Sequence, residues 1–198
     1  MTDYSNEEEV RQLLLESARH LQQNEPKEAE LLLEPLYAAD PGNLDAAINL
    51  GGAYILQRKW SKAVDVLRSA TSAHPENAML WVNLAAAELG QLETAGPQHQ
   101  EKAMAAYAKA LELDPGAPNV NYQLGLIHKE RGELDEAAAM FRKALQVNPA
   151  DRDARLWLDR IEQVQAELNK TDTAASASEQ ETNTSANNGS AGSDEASA

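Results

Sequence analysis

Four histidines and 32 carboxylates are the residues of this 198-residue chain able to do acid–base or ligand chemistry, and their spacing argues against a catalytic centre. His20, His74, His99 and His128 lie far apart. No His-x-x-x-His pair sets two imidazoles on one helical face, so no metal site is expected. Cysteine is absent, which removes disulfides, thiolate nucleophiles and cysteine-based zinc sites together. The adjacent carboxylates Glu7, Glu8 and Glu9, and likewise Asp135 and Glu136, read as solvated helix faces. No serine-centred nucleophile elbow, phosphate-cradling glycine loop or dinucleotide fingerprint occurs, and Gly51-Gly52 falls inside a helical pattern rather than a loop. The expectation is no catalytic residue, no cofactor and no enzyme. What remains is recognition chemistry, because Asn49, Asn83 and Gln123 each offer an amide donor and acceptor suited to an extended backbone.

The elements that would carry those amides announce themselves by period. Pro41, Pro75, Pro115 and Pro149 recur at spacings of 34, 40 and 34 residues, each closing an amphipathic helix pair. A period in this range means stacked helical hairpins whose apolar faces are buried only by their neighbours. Aligned backwards from the prolines, four units cover residues 10–43, 44–77, 78–117 and 118–151. Residues 1–9 are a lead-in, and 10–170 form one folded domain. A fifth helical segment, 152–169, carries Leu156, Ile161, Val164 and Leu168 on one side and reads as a terminal capping helix.

Within the second unit Ala47, Leu50, Gly51 and Tyr54 form one i, i+3, i+4, i+7 stripe, and Ala63, Leu67 and Ala70 form the next. The fourth unit repeats this with Leu124, Gly125 and His128, a turn at Gly132, then Ala137, Phe141 and Ala144. Gly51, Ala85 and Gly125 let paired helix axes approach to about 8–10 Å, where a larger side chain would hold them apart. This spacing of Leu-Gly, aromatic, Ala, large apolar, Ala and Pro resembles the tetratricopeptide repeat family across residues 10–150. The resemblance implies an all-α, right-handed α-solenoid of four hairpins plus a capping helix, whose first helices line a concave inner face. Unit one departs most, with Ser17 at the close-contact place and His20 where unit two has Tyr54. His20 and His128 are expected as packed histidines.

Local signals agree with the period. Ser5 with Glu8 suggests a capping box, Asn43, Asn77 and Asp151 suit N-caps, and Pro26, Pro97 and Pro118 suit first-turn positions. Unit three is six residues longer than its neighbours, with the surplus at residues 91–97. That stretch is read as a surface loop, with a contact element as the alternative.

The resemblance assigns the concave face to Ile48, Asn49, Gly52 and Ile55 in unit two and to Met79, Val82, Asn83, Ala86 and Leu89 in unit three. Unit four adds Tyr122, Gln123, Leu126 and Lys129, and unit one Arg11, Leu14, Ala18 and Leu21. Apolar side chains recurring on an inner face of so acidic a protein suggest a groove for a partly apolar peptide or helix of another protein. The peptide-binding set is Ile48, Asn49, Ile55, Met79, Val82, Asn83, Leu89, Tyr122, Gln123 and Leu126. Packing between hairpins is the competing role, above all for Ile55 and Leu89. Members of the family that clamp a carboxylate tail use Lys and Arg on this face. Here only Arg11 and Lys129 bring positive charge near it.

The net charge of −15 repels phosphate backbones and anionic lipid heads, so nucleic acid and membrane surfaces are poor partners. Residues 171–198 hold five acidic side chains, no basic ones, no aromatics and no branched aliphatics, and are expected to be a disordered acidic tail. No signal peptide or membrane-length apolar run is visible, which makes a cytoplasmic location the expectation and leaves the sequons at Asn169, Asn183 and Asn188 without use. The function expected is a non-catalytic protein–protein interaction scaffold. The alternatives are a self-associating structural module, hence a homo-oligomer, and a regulatory or targeting subunit of an enzyme complex acting through its convex face or tail.

Overall fold

Helix starts follow the capping signals. Asn43 Oδ1 accepts from the Ala46 amide at 2.9 Å, Asn77 Oδ1 from the Leu80 amide at 3.1 Å and Asp151 Oδ1 from the Ala154 amide at 2.9 Å. Each such cap contributes about 1 kcal/mol by satisfying an orphan donor. Pro26 and Pro97 occupy first-turn positions, where the missing N–H costs nothing. In the computed structural model, which describes the backbone of residues 7–188 and the side chains of 7–170, these signals resolve into nine helices. They are α1 (Glu7–Gln22), α2 (Pro26–Ala39), α3 (Leu44–Leu56), α4 (Trp60–Ala73), α5 (Ala78–Leu89), α6 (Pro97–Leu113), α7 (Val120–Glu130), α8 (Leu134–Val147) and α9 (Arg152–Asn188). The protein is an all-α solenoid with no strand among the described residues.

Three of the four hairpins turn in the same way. Asn24, Arg58 and Gly132 take left-handed φ values of 59°, 57° and 74°. The next residue's amide then returns to the preceding helix: Glu25 to the His20 carbonyl at 2.8 Å, Lys59 to Tyr54 at 2.8 Å and Glu133 to His128 at 2.9 Å. The third hairpin differs. Gly90 ends α5 at φ 61° and ψ −119°, a combination open only to glycine, and a single 3₁₀ turn, Leu92–Thr94, precedes α6.

Each hairpin packs on the next through α2–α3, α4–α5, α6–α7 and α8–α9, while α1, α3 and α5 lie side by side. No comparable packing joins α5 to α7, and the Leu92–Thr94 turn rests against α7 instead. The core forms two clusters that share α7. One cluster runs from Ala29 and Leu33 through Leu50, Leu67 and Leu80 to Val120 and Ile127, and a second surrounds Phe141 with Ala137, Leu158 and Ile161. Burying each such Leu or Phe contributes roughly 1.5–3 kcal/mol.

Several boundaries differ from the sequence reading. Helix α1 begins at Glu7, inside the expected lead-in, and Ser5 lies outside the described residues. Pro118 is not a first-turn residue: Asn119 takes φ 63° and α7 starts only at Val120. Helix α9 takes in the expected capping segment and is assigned to Asn188. Residues 189–198 of the expected tail lie outside the described residues. His20 and His128 are not sealed in the core. Each stays partly exposed, with Nδ1 2.7 Å from the carboxylate five residues on, Glu25 or Glu133, so the imidazole braces the hairpin turn.

Candidate functional site

The inner row is set by helix phase. Leu50, Leu84 and Leu124 point into the core, so the residues just before them, Asn49, Asn83 and Gln123, emerge beside it. All three amides are half-buried, and none has a side-chain hydrogen-bond partner among the described residues. A half-buried amide without an internal partner keeps its donor and acceptor for something outside the fold.

The apolar members divide into three groups. Ile48 and Val82 occupy equivalent places on α3 and α5, with Leu14 before them on α1, and all three are partly buried against the main core. Ile55 and Leu21 form a second row of the same kind. Met79, at the start of α5, is 59 % exposed. The packed helices α1, α3 and α5 thus present a continuous wall of half-covered aliphatic side chains with amides alongside.

Unit four does not extend that wall. Tyr122 and Leu126 pack against the Phe141 cluster, with the Tyr122 and Phe141 ring centres 5.7 Å apart and tilted by 58°. Lys129 places its ammonium 4.5 Å from the centre of the Trp157 ring, a cation–π contact that takes its charge away from the row. The expected inner face of units two to four is thus not one side-by-side row: α3 packs beside α5, whereas α7 has no comparable packing on α5.

Leu89 is only 6 % exposed, in line with the packing role weighed for it, and lines an open cavity of about 500 Å³ between α4, the end of α5 and the start of α6. The sequence reading missed this cavity. Its one signal was the six-residue surplus at 91–97, which a surface loop explains equally well. Buried charge also escaped the sequence reading. Glu30 accepts from Gln57 Nε2 at 2.6 Å and Lys59 Nζ at 2.6 Å, and Tyr54 Oη donates to Glu34 Oε1 at 2.6 Å, so the first two hairpins are tied by a polar network beside their apolar contact. Residues that meet across different repeats have no local sequence pattern to reveal them.

Among the described residues no group of three or more histidine and acidic side chains is placed to hold a metal ion, and no helix is long and apolar enough to cross a membrane.

Comparison with known proteins agrees with this architecture. Tetratricopeptide repeat profiles match residues 20–95, 98–116 and 118–151. A "Peroxisomal targeting signal receptor" of Candida albicans is 29 % identical over 107 residues, which are 54 % of this chain and 17 % of that protein. "Cytochrome c-type biogenesis protein CycH" of Rhizobium meliloti is 40 % identical over 82 residues, 41 % of this chain and 19 % of that one. The chain spans about a fifth of the length of the curated relatives it matches. Among solved structures, a crystal structure of MamA superposes with a TM-score of 0.65 at 19 % identity, covering 76 % of this chain and 84 % of that one. A thermophilic TPR protein of Thermus thermophilus does so at 0.64 and 24 % identity, covering 77 % and 80 %. Those likenesses concern the fold.

Proposed function

Because the chain belongs to the tetratricopeptide repeat family and is by that membership a protein-interaction module, we propose that it binds a peptide or helix of a partner protein along the α1–α3–α5 face. The carrying observation is the set of half-buried, internally unpartnered amides of Asn49 and Asn83, with Gln123 in the equivalent place, beside the half-covered Ile48 and Val82. The amides fix the backbone of the bound segment. Ile48, Ile55, Met79 and Val82 take its apolar side chains, and no step of chemistry on the ligand is involved. A relative described as a peroxisomal targeting signal receptor suits this reading.

The experiment places a photo-crosslinking residue at Met79 and, as control, at Lys143, which is exposed on α8 away from this face. With extract of the native host, the Met79 position captures a discrete partner that the Lys143 position does not. Replacing Asn49, Asn83 and Gln123 together by alanine, with helicity retained, abolishes that adduct, and the complex survives high salt because few charges join it. Equal crosslinking from both positions, or an adduct indifferent to the triple replacement, sinks the reading.

A second reading, self-association, is favoured by α9. It buries Ala154, Leu158 and Ile161 against α8 yet leaves Leu156 and Val164 exposed on its other side. Light scattering over a concentration series, with Leu156→Glu as control, tests it.

A further inference from the structure

The cavity beside Leu89 is a second recognition feature, separate from the inner row and built by the irregular third hairpin. The other three hairpins turn through a single left-handed residue, Asn24, Arg58 or Gly132. Here Gly90 and the Leu92–Thr94 turn carry the chain away from α5 before α6 begins, opening about 500 Å³ against α4. That volume falls within the roughly 300–1,000 Å³ of sites that enclose a ligand group.

The lining has two parts. Trp60, Val64, Leu89 and Ala95 give an apolar interior, with the Trp60 ring facing the Gly90 backbone. At the mouth the charges cancel. Arg68 is ion-paired with the buried Glu88, while Asp65 and Lys102, of opposite sign, have no ion-pair partner among the described residues. His99 Nδ1 lies 3.0 Å from the Glu88 carbonyl oxygen. A carbonyl only accepts, so Nδ1 donates. Trp60 Nε1–H has no acceptor among the described residues and is a spare donor.

We propose that this cavity receives one bulky apolar side chain, aromatic or branched, presented on the uncharged backbone of a partner protein. The apolar interior and the volume call for a large hydrocarbon group, which buries about 150–250 Å² when aromatic. The balanced mouth gives no advantage to a net anion or cation, and its separated donors and acceptors match the C=O and N–H groups flanking a side chain in a peptide. Its walls come from α4, the last residues of α5 and the start of α6, and neither Asn49 nor Asn83 is among them, so it can be occupied whether or not those amides are.

The test is a two-dimensional NMR titration of the full chain. Trp60→Phe identifies the Trp60 indole signal among those of the three tryptophans. The probes are N-acetylphenylalaninamide, N-acetylalaninamide and free zwitterionic phenylalanine. The capped phenylalanine is expected to shift the Trp60 indole and Gly90 amide signals saturably in the millimolar range, and the capped alanine to leave them in place. Ser61→Trp, which adds bulk at an exposed lining position, is expected to reduce the shift at Gly90 at least tenfold without loss of helicity. Asn49→Ala/Asn83→Ala is expected to leave it unchanged, which keeps this result independent of the inner face. Equal shifts from all three probes, a larger effect from the free amino acid, no shift, or full binding by the Ser61→Trp protein overturns the proposal.

Discussion

Gly51 lies against Leu67 so closely that a β-carbon on the glycine would stand 2.6 Å from Leu67 Cδ2 and 2.7 Å from its Cγ. Leu67 is fully buried and cannot swing away. Gly125 bears the same relation to Phe141, with a ring carbon 2.8 Å from the β-carbon it lacks. The absent side chain at this place sets the approach of the two helices in hairpins two and four.

Gly51→Ala is therefore expected to destabilise the protein by about 1–3 kcal/mol, although alanine is the better helix former by about 1 kcal/mol. Gly52→Ala is the contrast. Nothing lies within 4 Å of a β-carbon there, so the propensity gain stands alone and stability rises by about 0.5–1 kcal/mol. Urea unfolding of the two proteins checks the pair. A stable Gly51→Ala protein would mean that the helices can part at little cost.

The Gly51–Leu67 contact also shows why so much of this architecture was legible in the sequence. A residue that must be small, a large partner sixteen positions on and a proline closing the unit are local features, and they recur in register. Asn43, Asn77 and Asp151 were legible as caps for the same reason. The parts that escaped depend on what happens between repeats. Nothing around Tyr122 tells that α7 stands off from α5, since the cause is the lengthened segment thirty residues earlier. Leu89 has the same helical phase as Ile55, and only the chain's departure at Gly90 turns it into a buried cavity wall. The amides of Asn49 and Asn83 could be placed on a face from sequence, but the lack of any internal partner needed coordinates.

Tyr54 and Glu34 give a pH dependence with a definite sign. The Tyr54 hydroxyl, and after it Lys62, hold the Glu34 carboxyl below the usual carboxylate range, while burial and then Glu34 push the Tyr54 phenol upward and keep it a donor. A carboxyl with a lowered folded value contributes its stabilisation above the ordinary carboxylate range and loses it as pH falls through the folded value. Tyr54→Phe is thus expected to cost about 1 kcal/mol near neutral pH, discounted for the partly exposed carboxylate. The gap from the parent protein should close as pH falls below the ordinary carboxylate range, through the lowered folded value of Glu34. Thermal melts of both proteins across that range decide it, and a gap that persists in acid would assign the effect to packing.

The shared hairpin turn predicts opposite outcomes for one type of change. Arg58 holds φ 57° with a full side chain, a conformation costing roughly 1 kcal/mol for a non-glycine residue, whereas Gly132 holds φ 74° in the equivalent turn. Arg58→Gly is expected to gain about 0.5–1 kcal/mol and Gly132→Ala to lose about 1 kcal/mol. Chemical denaturation measures both. A loss on replacing Arg58 would show that its side chain supports the turn.

Asn121 supplies the last expectation. It stands in the place that Ala47 fills in unit two and Trp81 in unit three. Only 6 % exposed, it keeps an Oδ1 with no hydrogen-bond partner among the described residues. Trp81 solves its own polar problem by donating Nε1–H to the Pro75 carbonyl at 2.8 Å, and Ala47 has no polar atom to satisfy. A buried acceptor left unpaired costs about 1–3 kcal/mol, and asparagine is roughly 0.6 kcal/mol poorer than alanine within a helix. Against that stand the few contacts its short side chain makes beside Asn148 and Asp151, around a space of only about 60 Å³. The unsatisfied oxygen outweighs the lost packing, so Asn121→Ala should raise the unfolding midpoint, with a net gain of about 1 kcal/mol. A loss of that size in the denaturation curve would instead reveal Asn121 as a hydrogen-bonded strut between the third and fourth hairpins.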